Sequence, residues 1–453
     1  MARRKNSFPF GIVLVVLLVG IGVFISTSSM FERVAPEIKI NTNGYWNLKT
    51  PLEISIDDAS GIKDYRVVLK SSSNQIELAQ EHFLAPEKGL KLAVKPPRSA
   101  YAMRESEVTI IVQARDASKW DFLKGNVAQK SVKLTIDKKR PQVSIIKNSY
   151  KIAKGGSAVV IFQALDDNLD ELYVESNGKK FKVQPFYKEG YYITLLAWPV
   201  TKNSFRATVY AKDFAGNVTK TYVPLYLKNR QYRVSKINLS DRFLKGKIAN
   251  LAEDFVETQG VEDSIEQFKL INEDVRAKNE ELIHKLSSKV SDEMISDFKI
   301  RRMYPLKNAK VVAHFGDHRI YFYKGEQVSE AYHLGLDLAS YSHAPIRPQN
   351  GGRVVFADYN GLYGNMPMIS YGLGLYSIYG HCSRLNVNAG DTTRPRQTIA
   401  NTGKTGYAMG DHLHFGVLVQ GIEVRPQEWM DSHWIKVNIT DIIKKAKRII
   451  NRN

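Results

Sequence analysis

The sequence from Gly410 to Val419 reads GDHLHFGVLV and decides how the C-terminal part of this 453-residue chain is interpreted. Its apolar second half predicts a buried strand. His412 and His414 lie two positions apart, and residues two apart on a strand face the same side. We therefore expect both imidazoles to enter one cavity.

Two more polar clusters precede this strand. Residues 333–337 read HLGLD, with His333 and Asp337 at the ends, and Tyr379 to His381 reads YGH. Imidazole and carboxylate together suit Zn²⁺, and three protein ligands that leave one position open form the catalytic arrangement. From these residues alone, a metal site and a chance grouping of histidines both stay open.

With these motifs in place, the segment from about Lys307 to Trp434 resembles the lysostaphin/LytM-type zinc metallopeptidases. These are peptidoglycan hydrolases with a β-rich duplicated hybrid motif domain. Their pattern is His-x-x-x-Asp, then a His after Tyr-Gly, then His-x-His. The resemblance implies a zinc ion held by His333, Asp337 and His414. It also implies two catalytic histidines that do not bind the metal, His381 and His412, without saying which is the base.

The chain departs from the family pattern away from these five positions. A turn that usually reads Lys-Lys-Gly-Gln is RPRQ at residues 394–397, and Cys382 follows His381 where relatives carry Leu. We expect these changes to affect loop geometry and substrate contacts. Cys382 is expected to be a small packing residue.

The N-terminus predicts a membrane segment. Residues 2–5 read ARRK, and Phe10 to Ile25 is almost wholly apolar. A spanning helix needs about 20 apolar residues, and a cleavable signal has only about 7–15. An uncleaved signal anchor is favoured over a cleaved signal or a buried soluble helix. The positive-inside rule then keeps Arg3 to Lys5 cytoplasmic and exports the rest.

Residues 36–227 show short alternating strands, for example Glu37 to Ile40, Leu52 to Ile56, Val108 to Val112 and Tyr222 to Leu227. An internal repeat relates Asp116 and the following Gly125-Asn126 to Asp213 and Gly216-Asn217. The arrangement resembles bacterial immunoglobulin-like domains. The repeated residues are expected either to belong to a wall-binding or spacing module or to form plain structural turns.

An acidic segment follows, in which helical spacing replaces strand alternation. Between Leu251 and Ile300 there are 13 acidic and 6 basic residues, net −7. The segment is expected to be either a solvated spacer or an acidic arm that docks on, or regulates, the basic C-terminal domain. Such an arm could inhibit the enzyme by restricting substrate entry. The tail from Asp441 to Asn453 predicts a short basic amphipathic helix, which could dock on that arm, lie on a membrane or stay exposed.

The predicted fold class is mainly β and multidomain. The expected parts are a transmembrane signal anchor (1–31), two immunoglobulin-like β-sandwiches (32–138 and 139–230), an acidic α-helical segment (231–302), a zinc metallopeptidase domain (303–434) and a basic tail (435–453).

Composition restricts the function further. Hydrophobic residues at 43% and charged residues at 25% exclude a disordered or fibrous chain, and one Cys excludes an internal disulfide. The net charge of +19 favours an anionic partner, and export argues against nucleic acid.

The expected function is a zinc metalloendopeptidase that cuts peptide cross-links of peptidoglycan. We expect it to be a single-pass protein of the inner membrane with its catalytic domain in the periplasm. A non-catalytic wall-binding or amidase-activating relative and a structural adhesin are the alternatives. The sequence identifies neither the cleaved bond nor any protein regulator.

Overall fold

The computed structural model describes residues 10–72, 74–99 and 103–452. The chain divides into two compact units. The first comprises residues 1–141 together with 167–170 and 212–218. The second comprises residues 142–166, 171–211 and 219–453, and it contains the predicted site.

Helix α1 (Phe10–Thr27) contains the apolar run of the predicted anchor. Its apolar side chains from Ile12 to Phe24 are exposed. Among the described residues, no helix has the length and hydropathy needed to cross a membrane. The predicted cytoplasmic flank, Arg3 to Lys5, lies outside the described residues.

The first unit is built on one six-stranded sheet with the order β1-β3-β5-β6-β2, in which β4 also pairs with β3. Leu52, Ile54 and Ile56 alternate with exposed or half-buried residues and lie in the core, so the period-2 pattern correctly predicted this strand. A four-residue helix α2 (Trp120–Leu123) connects two of the strands. The strands are β1 (Glu37–Asn41), β2 (Tyr45–Trp46), β3 (Leu52–Lys70), β4 (Gln75–Val94), β5 (Glu107–Asp116) and β6 (Val127–Ile136).

The next strands form two four-stranded sheets, β11-β10-β14-β15 and β12-β13-β9-β7, with β8 and β16 as a parallel pair. The predicted strand from Tyr222 to Leu227 is wrong as one element. It breaks around Pro224, which has no N–H for a strand ladder. The strands are β7 (Gln142–Asn148), β8 (Lys151–Ala153), β9 (Ser157–Leu165), β10 (Leu169–Ser176), β11 (Lys179–Lys182), β12 (Gln184–Pro185), β13 (Tyr191–Ala197), β14 (Thr208–Asp213), β15 (Val218–Tyr222) and β16 (Tyr226–Lys228).

The two repeat motifs form the same local structure. In each, the Asn side-chain amide donates to one carboxylate oxygen of the Asp and the Asn backbone N–H donates to the other. The amide distances are 2.7 Å for Asn126 to Asp116 and 2.8 Å for Asn217 to Asp213. The backbone distances are both 2.7 Å. The interpretation of these residues as structural turns accounts for every one of these contacts.

The acidic segment is helical, with Ser240 and Asp263 as N-caps whose side chains accept backbone N–H groups. Residues 234–238, which were expected in the helical segment, instead form β17 and pair with β19 of the C-terminal domain. The helices are α3 (Asp241–Phe243), α4 (Ala249–Ala252), α5 (Ser264–Leu270) and α6 (Arg276–Ser287), with π-helical turns at Leu244–Ile248 and Ile271–Val275.

The C-terminal domain is organised around an eight-stranded sheet with the order β18-β21-β29-β25-β24-β23-β27, to which β30 adds through β29. Strand β29 is buried along its whole length. Two three-stranded sheets, β17-β19-β20 and β22-β28-β26, complete the β structure. The strands are β17 (Val234–Asn238), β18 (Lys310–Ala313), β19 (His318–Tyr323), β20 (Glu326–Tyr332), β21 (Leu336–Ala339), β22 (Pro345–Ile346), β23 (Gly352–Tyr359), β24 (Asn365–Ser370), β25 (Leu375–Gly380), β26 (Arg384–Leu385), β27 (Thr392–Thr393), β28 (Ala400–Asn401), β29 (Leu413–Val419) and β30 (Ile422–Val424).

The C-terminal end of the chain forms three helices, α7 (Pro426–Met430), α8 (Ser432–Ile435) and α9 (Asp441–Ile450), of which α9 lies in the basic tail. Helix α9 buries Ile442, Ile443, Ala446 and Ile450. It packs on β7 and β9 of the second β module, and Lys447 Nζ lies 2.9 Å from Asp297 Oδ1. The tail is therefore not exposed, because its apolar side is covered by a sheet. Lys447 contacts the acidic segment at Asp297, beyond the last helix of that segment.

Candidate metal centre

Three side chains from neighbouring elements form the centre. His333 directly follows β20, Asp337 lies on β21 and His414 lies on β29. Strands β21 and β29 are antiparallel neighbours, and their register places Asp337 opposite His414. Sheet pairing thus joins two predicted residues that are 77 positions apart.

The three side chains direct one atom each to a common point. His333 Nε2 lies 3.0 Å from Asp337 Oδ1, His414 Nδ1 lies 2.9 Å from the same oxygen, and the two nitrogens are 3.2 Å apart. All three residues are buried. His333 Nδ1 lies 2.9 Å from His314 O, so its proton is donated to that carbonyl and Nε2 keeps a lone pair.

This donor set fits a metal ion. Lone pairs of two imidazoles and one carboxylate at such distances need a positive charge between them, and zinc accepts this combination of ligands. Burial acts to raise the pKa of Asp337, but the imidazoles of His333 and His414 hold it well below its ordinary value. Burial lowers the pKa of His414. Both shifts keep the side chains in the protonation states that bind a metal.

Gly335, between the first two donors, provides the room for the third. A Cβ atom at this position would come within 2.4 Å of Cε1 and Nε2 of His414. His414 Nε2 is itself buried and has no hydrogen-bond partner among the described residues. The backbone at Gly335 therefore packs directly on the ring that must keep its orientation.

His381 and His412 lie beside the three donors. Their ring centroids are 4.8 Å apart, and His412 Nε2 lies 3.7 Å from Asp337 Oδ2. Each directs Nδ1 to a backbone carbonyl: His381 to Thr405 O at 2.9 Å and His412 to Gly410 O at 2.8 Å. Donation of that proton leaves Nε2 of each ring as the nitrogen with a lone pair.

His381 is held in an unusual state. Its φ of 65° lies in the left-handed region that favours glycine, and its backbone N–H donates to Tyr363 O at 2.7 Å. Burial, followed by the neighbouring His414 and His412, lowers the pKa of His381 to about 3. The imidazole is therefore neutral at neutral pH and can accept a hydrogen bond.

All five predicted residues line one cavity of about 670 Å³. The helical segment and the strand before it contribute part of its wall, including Leu239, Phe243 and Arg276, and Tyr363 and Tyr407 contribute more. The predictions did not include these wall residues. Only the charge of the acidic segment suggested that it docks on this domain.

The helical segment is fixed to the cavity by specific contacts. Asn279 Oδ1 accepts the backbone N–H of Leu362 at 2.9 Å, and Lys247 Nζ donates to Gly406 O at 2.8 Å. Phe268 and Ile271 are buried together with Tyr321 of β19. The segment thus docks on the C-terminal domain, which was one of the two expectations for it. The docking depends mainly on apolar burial rather than on its negative charge.

Cys382 is buried next to His381, and its Sγ lies 3.1 Å from Tyr379 O. Burial raises the pKa of its thiol. The side chain is part of the hydrophobic core of this unit. This environment agrees with the packing role expected for Cys382.

Comparison with known proteins identifies the C-terminal segment. Residues 331–426 match the family model described as Peptidase family M23. DD-carboxypeptidase/endopeptidase Mpg of Neisseria meningitidis is 33% identical over 94 residues, which are 21% of this chain and 22% of that protein. Peptidoglycan DD-endopeptidase ShyC of Vibrio cholerae is 31% identical over 123 residues, 27% and 28% of the two chains.

A crystal structure of a zinc containing peptidase from Vibrio cholerae covers 77% of this chain and 87% of its own, at 13% identity and a TM-score of 0.27. The chain spans only about a quarter of the length of the two curated relatives that it matches. The matched segment contains all five predicted site residues. The resemblance of this segment to the lysostaphin/LytM-type peptidases is confirmed.

Proposed function

We propose that this chain is a zinc-dependent endopeptidase that hydrolyses peptide cross-links of peptidoglycan. One observation carries the proposal. The buried donors His333, Asp337 and His414 converge in the cavity that also holds His381 and His412. Three ligands with two free imidazoles beside them are sufficient for peptide hydrolysis.

Each residue has a distinct task. His333, Asp337 and His414 hold the zinc ion, which when bound supplies Lewis-acid polarisation of the scissile carbonyl and of water. His381 and His412 each present Nε2 to the cavity. One imidazole accepts the proton of the attacking water at Nε2, and the other, when protonated at Nε2, would donate a hydrogen bond to the developing oxyanion.

The substrate is assigned by chemistry and by similarity. Two relatives are named as endopeptidases, and one of them as a peptidoglycan DD-endopeptidase. We extend this to the D-Ala–diaminopimelate type of cross-link in a Gram-negative wall. The net charge of +19 suits an acidic, carboxylate-rich sacculus.

The proposal extends to the rest of the chain and to its location in the cell envelope. We propose that residues 1–31 are an inner-membrane signal anchor, with the peptidase domain (303–434) in the periplasm. Residues 32–138 and 139–230 are two immunoglobulin-like spacers, followed by a helical segment (231–302) and a basic tail (435–453). The exposed apolar side chains of α1 support the anchor. The turns at Asp116 and Asp213 support the repeat.

The test uses the purified full chain, zinc analysis and peptide release from isolated sacculi. We expect about one zinc ion per chain, and His333→Ala, Asp337→Ala and His414→Ala should each abolish tight binding. His381→Ala and His412→Ala should keep zinc and lose about 10²–10⁴-fold in hydrolysis, which is the usual contribution of acid–base groups.

His433→Ala is the matched control, because this histidine is exposed and lies outside the cavity. Its zinc content and activity should equal those of the parent. Normal zinc binding in all three ligand variants would refute the ligand assignment. A zinc-loaded parent that releases no peptide from sacculi would instead refute the proposed reaction and favour a wall-binding relative.

A further inference from the structure

Three adjacent segments of the C-terminal unit carry six arginines. The segments are residues 301–305, 347–353 and 392–398. Arg347 N–H donates to Pro305 O at 2.8 Å, Arg396 N–H donates to Pro348 O at 2.6 Å, and Gly352 pairs with Thr393. The arginine face consists of Arg301, Arg302, Arg347, Arg353, Arg394 and Arg396.

The arginine face is exposed and carries uncompensated charge. All six residues are exposed, and the three segments contain no Asp or Glu. Among the described residues, none of the six forms an ion pair with a carboxylate. Arg347 Nε instead donates to Thr398 Oγ1 at 2.9 Å, and the Arg302 guanidinium lies 5.9 Å from the ring of Tyr304. The positive charge is therefore available to an outside partner.

The choice of basic residue is informative. The chain has 41 lysines and 24 arginines, but every basic residue of these segments is Arg. Arg presents a planar fork of donors that matches carboxylate and phosphate in two parallel hydrogen bonds, whereas Lys acts as a point charge. A surface that served only solubility would not need this preference.

Arg396 adds an independent observation. Its φ is 65°, in the left-handed region where a non-glycine residue is strained. Such strain costs on the order of 1 kcal/mol or more and concentrates at functional sites. A glycine would relieve it, so the turn retains a cation at a conformational cost.

The arginine face lies away from the metal centre. Arg353 pairs with Ser370 and Ser370 with Tyr376, whereas His414 pairs with Gly380, four residues further along β25. At about 3.3 Å per residue and 4.8 Å per strand, this register puts roughly 20 Å between Arg353 and His414. None of the six arginines lines the cavity. A ligand of the arginine face is therefore not the peptide being cut.

We infer that the arginine face binds the stem-peptide carboxylates of peptidoglycan next to the cross-link being hydrolysed. The inference rests on the proposed function, because it takes the partner to be the same acidic polymer. That polymer repeats its carboxylates along each strand, so one molecule can occupy both the cavity and a cationic surface at this distance. The binding holds the enzyme on the wall between cuts.

The test compares the full chain with the variant Arg353→Gln/Arg394→Gln/Arg396→Gln. Lys202→Gln/Lys228→Gln/Lys289→Gln is the matched control, because it removes the same charge from exposed positions elsewhere in the unit. Co-sedimentation with sacculi measures binding at low and high salt. Hydrolysis is measured on sacculi and on a soluble cross-linked muropeptide dimer.

We expect the arginine variant to bind sacculi about tenfold more weakly at low salt and to lose most of the parent's salt dependence. Its turnover of the soluble dimer should equal that of the parent. Hydrolysis of sacculi should fall, and the lysine control should resemble the parent in every measurement. Arg396→Gly alone should be at least as thermally stable as the parent while binding sacculi more weakly.

Unchanged sacculus binding in the arginine variant would overturn the inference. It would also be overturned if the parent bound vesicles of phosphatidylethanolamine and phosphatidylglycerol through these arginines but did not bind sacculi. If the parent cuts neither substrate, the proposed function fails, and arginine-dependent co-sedimentation still decides the binding inference by itself.

Discussion

At the scale of single residues, the central feature is the convergence of three side-chain atoms. The distances between His333 Nε2, Asp337 Oδ1 and His414 Nδ1 are 2.9–3.2 Å. The orientation of the two imidazole rings is set by contacts with residues outside this group of three. His333 is held by His314 O, and the ring of His414 packs on the backbone of Gly335. Such outer contacts commonly change metal affinity by about 10–100-fold.

Gly335→Ala tests this outer control. The added methyl group would overlap the ring of His414, so we expect zinc affinity to fall by about 10–100-fold with all three ligands still present. Competition with a chromogenic chelator measures the affinity. Gly410→Ala is the control, because a Cβ there meets nothing within 4 Å. Equal affinity in the parent and Gly335→Ala would show that the ring moves without cost.

The five site residues were predictable as a group from their resemblance to the lysostaphin/LytM-type pattern, because local spacing alone left a chance grouping of histidines open. Local spacing places His412 and His414 two positions apart at the start of β29, and His333 and Asp337 four positions apart. Their roles in the reaction stay a prediction. Arg276 and Phe243 of the cavity wall were not predictable, because helical periodicity shows which side of a helix is apolar but not which surface covers it.

At the scale of elements, the helical segment is part of the peptidase unit. Phe268 of α5 is fully buried and meets Tyr321 of β19 edge-on, with ring centroids 5.1 Å apart. Removal of residues 251–290 would expose this apolar surface. We therefore expect the deletion to destabilise the enzyme rather than to activate it, which departs from the sequence-based idea of an inhibitory acidic arm.

Phe268→Ala measures the strength of this docking. Loss of a buried aromatic ring typically costs about 3–5 kcal/mol, so chemical denaturation should show a decrease of that size in the free energy of unfolding. Val256→Ala, at a 75% exposed position in the same segment, should change it by less than about 0.5 kcal/mol. A small effect of Phe268→Ala would mean that the segment contributes little to the fold.

Glu428 of α7 predicts a pH dependence of stability. Burial raises its pKa to about 7, although the Ser157 N–H and Arg425 act in the opposite direction. The folded state therefore keeps a proton that the unfolded state releases above its ordinary pKa of about 4.5. Stability from this group is complete below about pH 4.5 and is lost as the pH rises to 7 and beyond.

Glu428→Gln should remove this contribution. Between pH 5 and pH 8, we expect the free energy of unfolding to decline less in the variant than in the parent. The difference between the two declines should be up to about 3 kcal/mol. Denaturant titrations at the two pH values measure the difference. Glu326→Gln, at an exposed position, should keep the slope of the parent. A parent-like slope in Glu428→Gln would show that Glu428 is ionised at both pH values.

At the scale of the whole molecule, the peptidase segment does not stand alone. The Gln420 side chain bonds to both backbone groups of Lys182 in the second β module, and Trp429 Nε1 donates to Ser157 Oγ at 3.1 Å. Helix α9 packs on the same module. The matched 96 residues from 331 to 426 therefore belong to a larger folded unit.

The proposed anchor gives a prediction about topology. A reporter fused after Asn453 should be active only in the exported compartment, and the protein should fractionate with membranes. Leu17→Arg should lower the membrane-bound fraction, because a central charge costs about 2.5–3.5 kcal/mol on insertion. Leu84→Arg, at a fully exposed leucine, should leave it unchanged. A shortened soluble form of the parent would indicate a cleaved signal instead.

The pairing of Asp337 with His414 also sets the timing of maturation. These ligands are 77 positions apart and meet only when β21 pairs with β29. A nascent chain therefore offers no preformed metal site. Metal uptake must therefore follow the slow, long-range step of folding. Under the proposed function, the chain therefore acquires its hydrolytic activity only at the end of its own assembly.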